Sequence, residues 1–312
     1  PLKAIHFDVN WLEVSSDSSL IATVSSDHVF KLWNIEKKSL HFRIPLEGGD
    51  CSRTLGFSAN QNLIIVQRMK VTSWDYKSNK MHTTTLSIRD PGHSQILASD
   101  LSHWLSPDGS ILATSTDGHD LFLFNTTTGE CFNTKTTHES SFDSLCFSSD
   151  SIRIALYSDI YGQEVILHDI MSVDRIDTIP VDHLDSGAVL FSPDGSMLAY
   201  AGNYTMIWDV STMSRKSVRE KGSRISHILL SVDGTKALYA RHKLDKPTEL
   251  CMLDVLHDLS TTIEPNLFVE NLSISPDKNY VLAQGADNSN ARRTYLYNVH
   301  EKNHLNINLV GA

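Results

Sequence analysis

The stretch Phe191–Val210, FSPDGSMLAYAGNYTMIWDV, holds a turn, an apolar run, a second turn and a second apolar run ending in Trp-Asp. Its Ser-Pro-Asp-Gly suits a tight turn, because Pro presets φ, Asp hydrogen-bonds its own backbone and Gly tolerates positive φ. The first half of this stretch recurs along the chain. LSPDGSILA starts at Leu105, LSVDGTKAL at Leu230 and ISPDKNYVLA at Ile274, with weaker copies VSSDSSLIA at Val14, FSANQNLII at Phe57 and FSSDSIRIA at Phe147. The second half recurs as often, with anchors at Trp33, Trp74, Phe124, His168, Trp208, Leu253 and Tyr297. Successive anchors stand 41, 50, 44, 40, 45 and 44 residues apart, so two independent landmarks keep one register through seven copies.

Each copy reads as four short strands. Leu20, Ala22 and Val24 alternate with other residues, as do Phe30 and Leu32, the period-2 signal of a strand with one buried face. Long helices are not expected; VDRIDTIPVDH, for example, is broken by Pro180. A four-stranded sheet cannot bury both faces alone, so the copies must stack. Repeats of ~40–45 residues with four strands each predict a β-propeller. The expected architecture is all-β, one seven-bladed β-propeller of four-stranded antiparallel blades spanning residues 1–312.

Composition sets bounds on function. The 40% of hydrophobic residues suffices for a sizeable core, and the net charge of −10 comes without a Lys/Arg run longer than two. A bulk attraction to nucleic-acid phosphates is therefore not expected. Cys51, Cys131, Cys146 and Cys251 lie far apart with no CxxC pair, against both a disulfide framework and a zinc site, and for a reducing intracellular, cytoplasmic setting. Sequons begin at Asn125, Asn203 and Asn271, a pattern common by chance. No apolar run approaches the ~20 residues of a membrane span. Because the chain starts at Pro1, it fits a processed protein or a piece of a larger one.

The repeats resemble the WD40-repeat propellers over essentially the whole chain, most specifically in LIATVSSDHVFKLWNIE, residues 20–36. In that family a His, a Ser/Thr, an Asp and a Trp brace each blade by hydrogen bonds. The resemblance assigns these roles to His6, Thr23, Asp27 and Trp33, with His6 one residue out of the usual spacing. His138 stands twelve residues before Asp150 in the fourth copy, and Gly92-His93 precedes the third. The pattern degrades where His168, Leu253 and Tyr297 replace Trp, and the fifth copy has a clipped hairpin at Asn203-Tyr204 with no matching Asp. Two segments compete for the outer strand of the seventh blade: His304–Val310, favoured because it follows its own blade directly, and Leu2–Asp8. Closing a propeller ring removes exposed sheet edges.

Fifteen histidines invite a metal or catalytic reading. His6, His93, His138 and His183 each precede a Ser-Asp or Ser-Pro-Asp turn, a periodicity that favours bracing. The DGHD run, Asp117–Asp120, reads as a solvated loop. There is no Gly-x-Ser-x-Gly elbow, no HExxH and no phosphate-cradling Gly-rich loop. Arg292-Arg293 has the look of the paired arginines of phosphoinositide-binding propellers but precedes an inner strand and lacks the following Gly. No cofactor and no metal site are expected.

What remains is surface. The WD40 resemblance places blade-to-blade links and second-to-third-strand hairpins on one partner-docking face. These hairpins differ most between copies: Gln67–Lys70, Ser158–Glu164, Gly202–Thr205, Arg241–Pro247 and Ala286–Arg293. Aromatic residues, Met and Arg are enriched at interface hot spots, which marks Met69, Tyr161, Tyr204, Arg241 and Arg293 as partner-binding candidates. Asp90–Trp104 lengthens one link and accounts for the 50-residue spacing. The expected function is a non-catalytic scaffold that binds proteins or peptides. The alternative is a ligand-sensing or regulatory propeller of a larger signalling protein, and an enzyme or enzyme accessory ranks third.

Overall fold

The structure, a computed structural model, describes residues 9–15, 17–25, 29–45, 54–58, 60, 62–67, 69–87, 101–116, 120–136, 144–158, 164–172, 175–180, 188–202, 205–219, 223–243, 248–265, 267–274, 280–287, 292–298 and 304–306. The chain divides into two compact units, Pro1–Ser141 and Phe142–Ala312. Every element among the described residues is a strand, and each sequence copy forms one four-stranded antiparallel sheet with its strands in chain order.

The first unit holds three sheets. They comprise β1 (Val9–Val14), β2 (Leu20–Ser25), β3 (Val29–Asn34) and β4 (Ser39–Pro45); then β5 (Thr54–Phe57), β6 (Leu63–Gln67), β7 (Lys70–Asp75) and β8 (Lys80–Thr85); then β9 (Leu101–Leu105), β10 (Ile111–Thr116), β11 (Asp120–Asn125) and β12 (Cys131–Thr136). Leu20, Ala22, Val24, Phe30 and Leu32 of the first sheet pack on Phe57, Leu63, Ile65 and Trp74 of the second. The second sheet's other face, Ile64, Val66 and Val71, packs on Leu112, Phe122 and Phe124 of the third.

The second unit holds four sheets. They comprise β13 (Ser144–Phe147), β14 (Arg153–Ser158), β15 (Glu164–Asp169) and β16 (Arg175–Pro180); β17 (Ala188–Phe191), β18 (Met197–Ala201), β19 (Thr205–Asp209) and β20 (Ser214–Arg219); β21 (Ser223–Leu230), β22 (Lys236–Lys243), β23 (Glu249–Asp254) and β24 (Leu259–Pro265); and β25 (Leu267–Ile274), β26 (Tyr280–Asp287), β27 (Arg292–Asn298) and β28 (His304–Asn306). In the fifth sheet Leu198, Tyr200, Met206 and Trp208 face the fourth, while Ala199, Ala201 and Ile207 face the sixth. Burial on both faces makes β18 apolar throughout, MLAYA, where a half-buried strand would alternate. The outermost strands face solvent: β8 is exposed or half-buried along its whole length.

In four sheets the pairing between the third and fourth strands slips by one residue at the anchor. The slip falls at Leu32/Trp33, Leu123/Phe124, Leu167/His168 and Ile207/Trp208. Such bulges bend and twist a strand locally. The seventh sheet takes β28 as its outer strand, paired with β27, which bears out the preference for the C-terminal segment. Residues 2–8 lie outside the described residues.

Candidate interaction surface

The two ends of each sheet are built differently. At one end the first-to-second-strand turn is the same device in five sheets. A buried or nearly buried serine, Ser15, Ser106, Ser148, Ser192 or Ser231, donates its hydroxyl to the aspartate two residues on, at 2.5 to 2.8 Å. The same oxygen accepts the N–H of the residue five positions on, at 2.9 Å each time. The residue after the aspartate takes positive φ: Gly109, Gly195 and Gly234 at 73°, 75° and 64°, with Ser18 and Ser151 at 56° and 59°. Glycine relieves the Cβ clash of this left-handed conformation.

The third-to-fourth-strand turn lies at the same end and is equally uniform. Asn34, Asp75, Asn125, Asp169, Asp209 and Asp254 each accept N–H groups two or three residues on, at 2.7 to 3.2 Å. The two turns are tied together. The N–H groups of Ile35, Thr126, Ile170, Val210 and Val255 donate to the carbonyls of Ser19, Ser110, Ile152, Ser196 and Thr235, at 2.8 to 3.0 Å. Hydrogen bonds hold the carboxyls of Asp75, Asp169, Asp194, Asp209, Asp233 and Asp254 below their ordinary range. The Ser211 hydroxyl and Thr212 N–H bring Asp209 down to about 2. Burial pulls Asp194 upward, but the Ser192 hydroxyl and the Ser196 N–H outweigh it and the carboxyl stays below its ordinary value.

Among the described residues the opposite end shows no such repeated hydrogen-bonded turn. Its hairpins run from β6–β7, where Gln67 pairs with Lys70, to β22–β23, where Arg241 pairs with Glu249. The fifth sheet's hairpin spans only 202–204 between the paired residues Ala201 and Thr205. The Gly202 carbonyl there accepts the N–H of Ile225 on the next sheet's innermost strand at 2.8 Å. Two fully buried hydroxyls flank hairpins at this end, Ser115 and Thr205, and among the described residues neither finds a hydrogen-bond partner.

Of the partner-binding candidates, Arg241 sits within β22 instead of a loop and is 7% exposed. Its guanidinium grips Glu249, with Nε at 3.0 Å from Oε2, and donates to Thr262 Oγ1 at 3.3 Å. That ion pair occupies the side chain, so Arg241 is a cross-strand clamp and not a free docking group. A clue was present in Glu249, an acid eight residues on across a hairpin. Met69 is half-buried and packs on the core shared by the second and third sheets, and its carbonyl accepts the Leu86 N–H at 2.7 Å. Tyr161 and Tyr204 lie outside the described residues. Arg293 stands in β27, paired with Gly285.

The bracing residues divide similarly. Trp33 Nε1 donates to Thr23 Oγ1 at 3.1 Å, joining third strand to second as the resemblance implies. His6, Asp27 and His138 lie outside the described residues. In the third sheet Phe124 replaces the tryptophan, and Thr114, the counterpart of Thr23, meets His103 Nδ1 at 3.0 Å. Burial pushes the His103 imidazole down to about 4, so it is neutral at physiological pH. In the second sheet Trp74 Nε1 donates instead to Asn79 in the adjoining turn, at 3.3 Å. Glu13, on the innermost strand of the first sheet, is raised by burial to about 7. Neither His103 nor Glu13 was marked by a sequence motif. His168 is wholly buried at its anchor position. No group of three or more His, Cys, Asp or Glu with metal-binding geometry occurs among the described residues.

Residues 3–34 match the WD40 family, described as WD domain, G-beta repeat. The chain is 28% identical to Periodic tryptophan protein 2 of Arabidopsis thaliana over 198 residues, 62% of this chain and 21% of that protein. The chain thus spans about a fifth of the length of the curated relative it matches. Among solved structures, the β-propeller domain of Cps50 (Swd1) from Myceliophteria thermophila superposes with a TM-score of 0.66 at 12% identity, covering 93% of this chain and 97% of that one. The Dos1 propeller gives 0.68 at 16% identity, covering 89% and 75%. Dihydro-heme d1 dehydrogenase NirN, solved in complex with DHE, gives 0.70 at 15% identity, covering 96% and 66%. At such identities the likeness shows the β-propeller fold alone. No helix among the described residues is long and apolar enough to cross a membrane.

Proposed function

We propose that this chain, a WD40-repeat β-propeller, is a non-catalytic interaction scaffold that binds partner proteins or peptides at the hairpin end of its sheets. The observation that carries this reading is the contrast between the ends. One carries the same hydrogen-bonded device in five sheets, whereas the sequence of the other varies in length and side chain from copy to copy. Uniform turns serve folding, and specificity resides where copies differ. WD40 propellers typically bind proteins, and the absence of a strongly basic balance favours protein over nucleic-acid partners. Among the described residues Cys131, Cys146 and Cys251 form no disulfide, in keeping with a reducing cytoplasmic setting.

The test is quantitative affinity capture with the hairpins 159–163 and 244–247 each replaced by Gly-Ser segments, leaving Arg241 and Glu249 in place. Loss of the captured partners with unchanged thermal melting is expected. Identical capture by wild type and both variants would remove the hairpin end as the docking surface. A second reading, a regulatory or ligand-sensing domain within a larger protein, draws on the greater length of the Arabidopsis relative. Fusion of this segment to further domains in the full-length gene product is the observation that would favour it.

A further inference from the structure

The turn end departs from its commonest pattern in the fourth sheet. In the first, third, fifth and sixth sheets the residue two positions after the turn aspartate is Ser19, Ser110, Ser196 or Thr235. Each donates its hydroxyl to that aspartate at 2.7 to 2.8 Å. In the fourth sheet this position is Ile152. Its N–H still reaches Asp150 at 3.0 Å, but no hydroxyl is there to add the second bond, and the side chain is 50% exposed. The adjoining turn departs as well. Where the first, second, third and fifth sheets carry Glu36, Lys77, Thr127 or Ser211, the fourth carries Met171, 76% exposed, and the sixth carries Leu256, 66% exposed. Of these sheets, only in the fourth does the neighbouring first turn add a second exposed apolar side chain at the position of Ile152. The Ile170 N–H donates to the Ile152 carbonyl at 2.9 Å, which places the two turns, and with them Ile152 and Met171, side by side.

The pair does not serve the turn's hydrogen bonding. Ile152 forgoes a hydrogen bond that serine supplies, and both residues leave hydrocarbon in water. Around them the surface is charged. Asp150 accepts the Ser148 hydroxyl and the Ile152 N–H, and Asp169 accepts the N–H groups of Met171 and Ser172. The hydrogen bonds to Ser172 and Met171, with a smaller contribution from Arg153, keep the Asp169 carboxyl below its ordinary range. Arg153 acts on Asp169 as a nearby cation. An acidic partner would have to approach against two aspartates in a chain of net charge −10.

We propose that the turn end of the fourth sheet is a second docking surface, which takes a partner segment presenting an aliphatic or aromatic anchor flanked by Lys or Arg. Ile152 and Met171 receive the anchor, and Asp150 and Asp169 pair with the flanking cations. An unbranched thioether beside an aliphatic side chain adapts to varied anchors. This surface is at the opposite end of the sheet from the hairpins, so its failure and that of the hairpin reading are separable.

The test pans a random-peptide display library against the wild-type chain, then measures the enriched peptides by fluorescence anisotropy against Ile152→Ser/Met171→Ser. Ile152→Ser installs the residue the other sheets use, so folding is preserved and unchanged melting verifies it. Enrichment of peptides with an apolar residue next to Lys or Arg is expected. Their affinity should fall about tenfold or more in the double variant, the scale of losing interface anchors, and persist when the hairpins 159–163 and 244–247 are replaced. Enriched peptides without basic residues, or equal binding by the double variant, would overturn the proposal. So would sedimentation showing that wild type self-associates and the double variant does not, which would make a second copy of this chain the occupant.

Discussion

The serine at the head of each first turn is a single atom with two tasks, and Ser192→Ala isolates it. Ser192 is 1% exposed; its Oγ donates to Asp194 at 2.6 Å and accepts the Met197 N–H at 2.9 Å. Removing the hydroxyl withdraws one charge-assisted bond and leaves a buried N–H short of an acceptor. A bond to a charged group is worth ~1.5–3 kcal/mol and a stranded buried donor costs ~1–3 kcal/mol, with partial relaxation, so the expected loss is about 2–4 kcal/mol. Ser58 supplies the control. Its Oγ accepts the Asn62 N–H at 3.1 Å, but Asn60 stands where the other sheets have Asp, so no charge-assisted bond is at stake. Ser58→Ala should lose only about 1 kcal/mol, the worth of one ordinary hydrogen bond. Urea denaturation followed by tryptophan fluorescence measures both, with Trp208 in the fifth sheet and Trp74 in the second as neighbouring reporters. Equal losses in the two variants, or a larger one for Ser58→Ala, would refute the assignment of the turn's strength to the Ser–Asp pair.

Thr23→Val keeps the shape of a side chain only 2% exposed while removing the acceptor of the Trp33 indole, and should cost about 1–2 kcal/mol in the same assay. Glu13 gives a pH signature. Its folded-state carboxyl is raised to about 7 from an ordinary 4.5, so the folded state holds the proton more tightly. The associated stability is complete below pH 4.5 and is lost as pH rises through about 7. Glu13→Gln should therefore gain about 2 kcal/mol relative to wild type at pH 8 and little at pH 4, the full ~3 kcal/mol of the shift being reduced by partial exposure. Melting curves across that range decide it, and a pH-independent difference would count against burial of the charge.

The turns and anchors were legible because they repeat: a Ser-x-Asp followed by an apolar run, and a Trp or its substitute near a second turn, fix strand order and sheet count together. The Thr23–Trp33 bond was legible through family resemblance. Arg241 was misread because Lys, Asp and Pro follow it, residues that look like loop, whereas the strand continues through Lys243 and pairs the guanidinium with Glu249. Met69 looked exposed for a similar reason: it sits in a short polar stretch, and only the stacking of the third sheet on the second buries it. Stacking is also what a local reading of alternation misses, since β18 has no solvent face. His103 and Glu13 have no motif at all; their perturbed protonation comes from burial that only the assembled sheets create.

The tie between the two turns has a consequence for engineering. In the first, third, fourth, fifth and sixth sheets the serine N–H reaches the carbonyl five residues on, and the link from the second turn returns to the residue just before that carbonyl. An extra residue in either turn would break both contacts, so each of these five sheets measures out a constant length at that end. The 40-to-50-residue variation between anchors must then be absorbed by the hairpins and the links between sheets. Grafted epitopes, tags or inserted domains belong in those segments, where added chain costs only the slow logarithm of loop length.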